Sequence, residues 1–152
     1  MDLHARINAA LKQAMKDKEP ERLATLRLIN AAIKDREIAS RGEDGEQSVG
    51  EAQILEILGK MVKQRRESVR AYEEAGRLDL AEAEQAEIAV IEEFLPRKLS
   101  DSEIEAAIDT AVGELGAGSI RDMGKVMSWL KSRYTGRMDF SVVGPKVKAR
   151  LS

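Results

Sequence analysis

The sequence predicts an all-α protein, and three observations carry that prediction. Apolar residues recur three and four positions apart along most of the chain. Aromatic residues make up only 3% of the composition and charged residues 34%, a balance that suits exposed helix faces better than strands. The periodic runs are also separated by residues that start and stop helices, at the spacings that caps require. With 43% hydrophobic residues, the 152-residue chain has enough apolar surface for a packed core, in one ordinary domain or two small ones.

Taken in order, Leu3, Ile7 and Leu11 fall four apart and define a first amphipathic helix that fades at Lys16-Asp17-Lys18. Pro20 suits the first turn of a second helix, where its missing N–H is no loss. Leu23, Leu26, Ile29 and Ile33 form that helix's stripe, which is expected to end before Gly42-Glu43-Asp44-Gly45. Ser48 and Glu51 have capping-box spacing and should open a long third helix, with Ile54, Leu55, Leu58, Met61, Val62, Val69 and Tyr72 on one side. Gly76 is its stop. Asp79 and Glu82 repeat the capping pattern for a fourth helix bearing Leu80, Ile88, Ile91 and Phe94. It runs out at Leu95-Pro96, because a proline pushes the residue before it out of the α region.

After Pro96 the pattern restarts. Ser100 and Glu103 cap a fifth helix with Ile104, Ala107, Ile108 and Val112 inside, and Gly116-Ala117-Gly118 breaks it. Ser119 is placed to cap a sixth, bearing Ile120, Met123, Met127 and Leu130, before the break at Thr135-Gly136-Arg137. A last helix presents Val143, Val147 and Leu151. Pro145 is tolerable there if the helix begins near Ser141, since first-turn N–H groups have no internal partner. Four helices up to Phe94 and three after it predict a four-helix N-terminal domain over 1–95 and a smaller three-helix C-terminal domain over 96–152. The second has roughly 55 residues, a size at which a lone core is marginal.

Composition removes many chemistries. The chain has no Cys, so a disulfide framework, Cys-ligated zinc, iron–sulfur clusters and a thiol nucleophile are excluded. His4 is the sole histidine, and its place beside the N-terminus suits a surface role better than catalysis. The stretch from Gly118 to Gly124-Lys125 approaches a phosphate-loop pattern, but the spacing is one residue too long and Val126 stands where Ser or Thr belongs. The acidic pairs Glu73-Glu74 and Glu92-Glu93 read as solvated helix faces. No metal, cofactor or catalytic residue is expected. No apolar run of 18 residues and no apolar h-region after Met1 is found, so neither a membrane nor export is expected and the location is read as cytoplasmic.

Charge is more informative than its total. Gly116 to Ser152 hold eight basic and two acidic residues, a net of +6. The other 115 residues hold 17 basic and 25 acidic, a net of −8, so a net charge of −2 conceals a positive tail on an acidic body. Such a tail either attracts phosphate backbones or complements the protein's own acidic half. Gly116-Ala117-Gly118-Ser119 leads into a helix N-terminus, where N–H groups and the dipole favour an anion. Trp129, Tyr134 and Phe140 read as scattered rings, not as a stacking platform, so a folded or double-stranded RNA surface fits better than a single strand. A second basic feature, Lys63, Arg66 and Arg70, shares one face of the third helix and is a secondary anion site. Arg65 falls on the apolar side instead, to bind an anion or to pair with Glu87 or Glu92.

Several ordered motifs resemble a known family. Leu26-Arg27-Leu28-Ile29-Asn30-Ala31-Ala32-Ile33-Lys34, Gln64-Arg65-Arg66-Glu67-Ser68, Ala75-Gly76-Arg77-Leu78-Asp79-Leu80, Glu92-Glu93-Phe94-Leu95-Pro96 and Asp122-Met123-Gly124-Lys125-Val126-Met127 together resemble the YqeY-like (GatB/YqeY) family, across essentially the whole chain. The last motif also resembles the tail of the B subunit of glutamine-dependent Asp/Glu-tRNA amidotransferase. The resemblance implies an all-α fold of a four-helix and a three-helix bundle. It further implies tRNA as partner, together with amidotransferase subunits or an aminoacyl-tRNA synthetase, and association with carbon–nitrogen ligases that use glutamine as amide donor. DNA is not expected. The large catalytic body of that subunit is absent here, so the chain is expected not to be catalytic alone. Gly124, Lys125, Lys131, Arg133, Arg137, Lys146, Lys148 and Arg150 are the RNA-side contacts so implied. The alternative is a protein–protein adaptor docking on a larger enzyme, suggested by the small second bundle and by the methionines of the sixth helix.

Overall fold

The computed structural model describes residues 2–44 and 49–152, and among these it contains seven α-helices and no strand. They are α1 (Leu3–Lys16), α2 (Pro20–Asp44), α3 (Glu51–Glu74), α4 (Leu78–Glu92), α5 (Asp101–Leu115), α6 (Met123–Tyr134) and α7 (Phe140–Leu151), with a 3-10 turn at Ile120–Asp122 before α6. The chain divides into two compact units, Met1–Leu95 and Pro96–Ser152.

In the first unit, α1 begins where the Asp2 carboxylate accepts the Ala5 amide at 2.7 Å. It ends in a Schellman motif: Glu19 N–H reaches Ala14 O at 3.1 Å and Lys18 N–H reaches Met15 O at 3.3 Å, with Lys18 left-handed at φ 54°. Glu19 then accepts the Leu23 amide and so starts α2. Contrary to expectation, α2 runs past Gly42 to Asp44. One helix-interior glycine costs only about 1 kcal/mol, and the helix continues through it. Gly45 and the anticipated cap Ser48 lie outside the described residues. The observed N-cap of α3 is Gly50, whose amide donates to Gln53 Oε1 at 3.0 Å. Gly76, at φ 73°, closes α3 as foreseen. The start of α4 differs, because Arg77 is its N-cap and Asp79 lies inside the first turn, where a carboxylate favours the helix dipole. Ile7, Leu26, Ile29, Leu58 and Ile91 are fully buried at the centre of this unit's core, each contributing about 1.5–3 kcal/mol by leaving water. Arg65 donates from Nε to Glu87 at 3.0 Å and from Nη1 to the Met61 carbonyl at 3.3 Å, so the ion-pair reading of this residue is the observed one.

The second unit has its own core of Ile104, Ala107, Ile108, Ala111, Val126, Leu130, Val143 and Val147. The capping box of α5 is present: Ser100 Oγ accepts the Glu103 amide at 3.2 Å, and Glu103 accepts the Ser100 amide at 3.0 Å. Gly116, left-handed at φ 62°, closes α5. The entry to α6 departs from expectation, since Ser119 makes no side-chain cap and Ile120 is exposed. The core face of α6 is Val126 and Leu130, both fully buried, with Met123 and Met127 only partly so. The helix α7 begins at Phe140, capped by Asp139, which accepts the Ser141 amide at 3.0 Å. Pro145 is therefore its sixth residue rather than a first-turn residue, and it has no N–H to donate along the helix.

Candidate nucleic-acid interface

The second unit, Pro96–Ser152, carries ten basic and seven acidic residues, a net of +3. The arrangement of its charges follows from helical periods. Asp101, Glu105 and Asp109 stand one turn apart on α5, while Lys146 and Arg150 stand one turn apart on α7. Lys146 Nζ lies 3.8 Å from Asp101 and 4.0 Å from Glu105, and Arg150 Nε donates to Asp109 at 3.2 Å. These two cations are spent on a ladder of side chains between α5 and α7, so the reading of the tail as a complement to an acidic surface holds for that face.

Other predicted contacts are also engaged. Arg137, half-buried, donates from Nε to the Arg97 carbonyl at 3.0 Å, and its own carbonyl accepts the Leu99 amide at 3.0 Å. It ties the segment before α5 to the turn after α6, which is a structural role. Arg133 lies over the Trp129 ring at 4.1 Å and is 3.9 Å from Glu114, and Lys131 lies over the Phe140 ring at 5.9 Å. The charged side-chain ends of Lys125 and Lys148 are exposed and have no hydrogen-bond or ion-pair partner among the described residues, and that of Arg121, four residues before Lys125, is like them. Gly124 is exposed, and a Cβ built on it meets nothing within 4 Å, so it leaves the backbone of α6 open rather than serving helix packing.

Two expectations are corrected by this geometry. The anion niche at Gly116-Ala117-Gly118-Ser119 is filled from within, because Asp122 Oδ2 accepts the Gly118 amide at 3.0 Å. Two of the three aromatic residues are not scattered: Trp129 and Tyr134 lie 6.4 Å apart with their rings tilted by 50°. The signal was present in the sequence, since Lys125, Trp129 and Arg133 are spaced i, i+4, i+8 and share one face of α6.

In the first unit the Lys63, Arg66, Arg70 face is not open as a trio. Arg66 donates to Glu92 at 3.2 Å, and Lys63 is engaged as well. Arg66 and Glu92 stand at the rim of a shallow groove of about 310 Å³ between α3 and α4, floored by Val69, Ile88 and Ala89. No helix is long and apolar enough to cross a membrane, and no group of three or more acidic or histidine side chains is placed to hold a metal ion, among the described residues.

A family model described as Yqey-like protein matches residues 4–151. The chain belongs to the YqeY-like family. Its curated relatives include two proteins named altered inheritance of mitochondria protein 41, mitochondrial. That of Lachancea thermotolerans is 28% identical over 94% of this chain and 78% of its own length; that of Pyrenophora tritici-repentis is 30% identical over 93% and 81%. The Saccharomyces cerevisiae protein of the same name is 30% identical over 69% of this chain and 54% of its own. These names overturn the cytoplasmic expectation. The lack of an apolar h-region bears on secretion and membrane insertion and does not distinguish one aqueous compartment from another.

Proposed function

We propose that this YqeY-like protein is a non-catalytic RNA-binding accessory that engages tRNA through α6 and α7, in association with tRNA-dependent amidotransferase chemistry. In this reading the two units act as a four-helix N-terminal domain and a three-helix C-terminal domain that presents the binding face. The observation that carries it is the surplus left after internal pairing: the charged ends of Arg121, Lys125 and Lys148 have no partner among the described residues, on a unit of net +3 that also has the open backbone at Gly124. Exposed lysines on a positive unit are the means by which proteins hold phosphate backbones. The carbon–nitrogen ligase association comes from kinship with the amidotransferase B-subunit tail.

Binding of a labelled tRNA pool to the full chain across a salt series tests this. Affinity should fall steeply with salt, log K losing about 0.7–0.9 per phosphate neutralised for each tenfold rise in salt. Lys125→Glu with Lys148→Glu should reduce that slope by roughly 1.4–1.8. Absent or salt-insensitive binding sinks the reading. The adaptor would then lead, favoured by the exposed Leu28 and Ile38 of α2, which are 46% and 54% accessible.

A further inference from the structure

We propose that the Lys125–Trp129–Arg133 face of α6 holds an unpaired base of the bound RNA, stacked on the Arg133 guanidinium over Trp129, with the flanking phosphate on Lys125. This rests on the RNA-binding reading above and adds a substrate class to it: a strand with a base outside a duplex.

The argument begins with the indole. Trp129 is half-buried and packs against the core of its unit, so the indole is partly held and partly accessible. The Arg133 guanidinium lies over the ring at 4.1 Å, a stacking distance, and Tyr134 stands beside it. The Arg133 side chain is 50% exposed, which leaves room for a ligand to reach it. A guanidinium plane stacked on an aromatic ring offers a nucleobase a second, charged surface of similar size, and bases stack on such planes as they do on rings. The position is also held from the side, since Glu114 lies 3.9 Å from Arg133. Ordering the platform before the ligand arrives removes part of the entropy that binding must otherwise lose.

Lys125 supplies the second half. It is one turn before Trp129 on the same face, about 6 Å along the axis, and has no competing carboxylate among the described residues. A long ammonium side chain at that distance reaches a phosphate beside a base stacked at Arg133. Lys146 and Arg150 are unsuited to this because Asp101, Glu105 and Asp109 already hold them. Base stacking is worth roughly a few-fold to a hundred-fold in affinity per base.

Trp129 is the only tryptophan, so its emission reports on this face alone. The full chain would be titrated at low salt with a six-nucleotide adenosine RNA, with an abasic ribose-phosphate oligomer of equal length and charge, and with a short duplex. The adenosine strand should quench the emission and bind about tenfold more tightly than the abasic one. Arg133→Lys, which keeps the charge and removes the plane, should bring the two together; Lys125→Gln should weaken both alike. Equal binding of abasic and base-bearing strands, with no change in emission, overturns the stacking site and leaves phosphate binding standing. Preference for the duplex also overturns it. Failure of every oligomer and of tRNA to bind overturns both readings together.

Discussion

Asp122 Oδ2 accepts the Gly118 amide at 3.0 Å, so the backbone that leads into α6 is satisfied by a carboxylate of its own chain. The Gly118 amide of the loop that resembles a phosphate cradle is therefore already taken and is not offered to an outside anion. Asp122→Ala should lower stability by about 1 kcal/mol, read from the urea midpoint, by removing a charge-assisted hydrogen bond on a helix-entry amide. Added sulfate should then protect the variant more than the parent, because the emptied niche accepts it. Equal protection of both proteins contradicts the assignment.

Glu103 should titrate well below an ordinary carboxyl. Arg97 donates two hydrogen bonds to it, at 3.0 and 2.9 Å, and the amide and hydroxyl of Ser100 add to the effect, holding its pKa at about 2. The folded value lies below the unfolded one, so the stabilisation is complete above the usual carboxylate range near 4.5 and is lost as pH falls through about 2. Side-chain NMR titration should place the midpoint near 2, and Arg97→Gln should move it up toward the usual range. Salt should move it the same way, since the pair is exposed. An unmoved midpoint in Arg97→Gln would remove Arg97 as the main cause.

The Glu103 box was legible because it is local: Ser100 and Glu103 sit three apart and need nothing else. The same holds for Gly76 and Gly116, each required at a left-handed position. The stripes Leu3–Ile7 and Val143–Val147–Leu151 were legible through their period. Val126 rightly counted against a phosphate loop but was not among the apolar residues read for the sixth helix, because its burial depends on α5 and α7, far away in sequence. The α5–α7 ladder was missed for a related reason. Lys146 and Asp101 are 45 positions apart, and only packing says which faces meet. Helix starts failed where the cap is not a side chain, as at Gly50 and Arg77.

Lys18→Gly should stabilise the protein. Lys18 is exposed and left-handed at φ 54°, where a Cβ costs roughly 1–2 kcal/mol, while glycine's added freedom in the unfolded chain returns roughly 0.4–1 kcal/mol of that. The net gain is about 0.5–1 kcal/mol, visible as a raised urea midpoint with an unchanged slope. Gly76→Ala should shift it in the opposite direction by a similar amount. Space is not the issue at Gly76, since nothing lies within 4 Å of a Cβ there; the backbone angle is.

Substitutions in α7 should separate two costs that stand side by side. Gly144 is buried in the helix, and a Cβ there meets only Met127 Cε at 3.9 Å, an ordinary contact. Gly144→Ala therefore gains the helix-propensity difference of about 1 kcal/mol without crowding. Pro145, as the sixth helical residue, has no N–H to donate along the helix and its ring crowds the preceding turn, so Pro145→Ala should gain about 2–3 kcal/mol. Hydrogen exchange would localise the effect: protection should rise in α7 in both variants, and a new protected amide should appear at position 145 only in the second. If Pro145→Ala fails to stabilise the protein, the proline is relieved by a local distortion, and the strain assigned to the middle of α7 is absent.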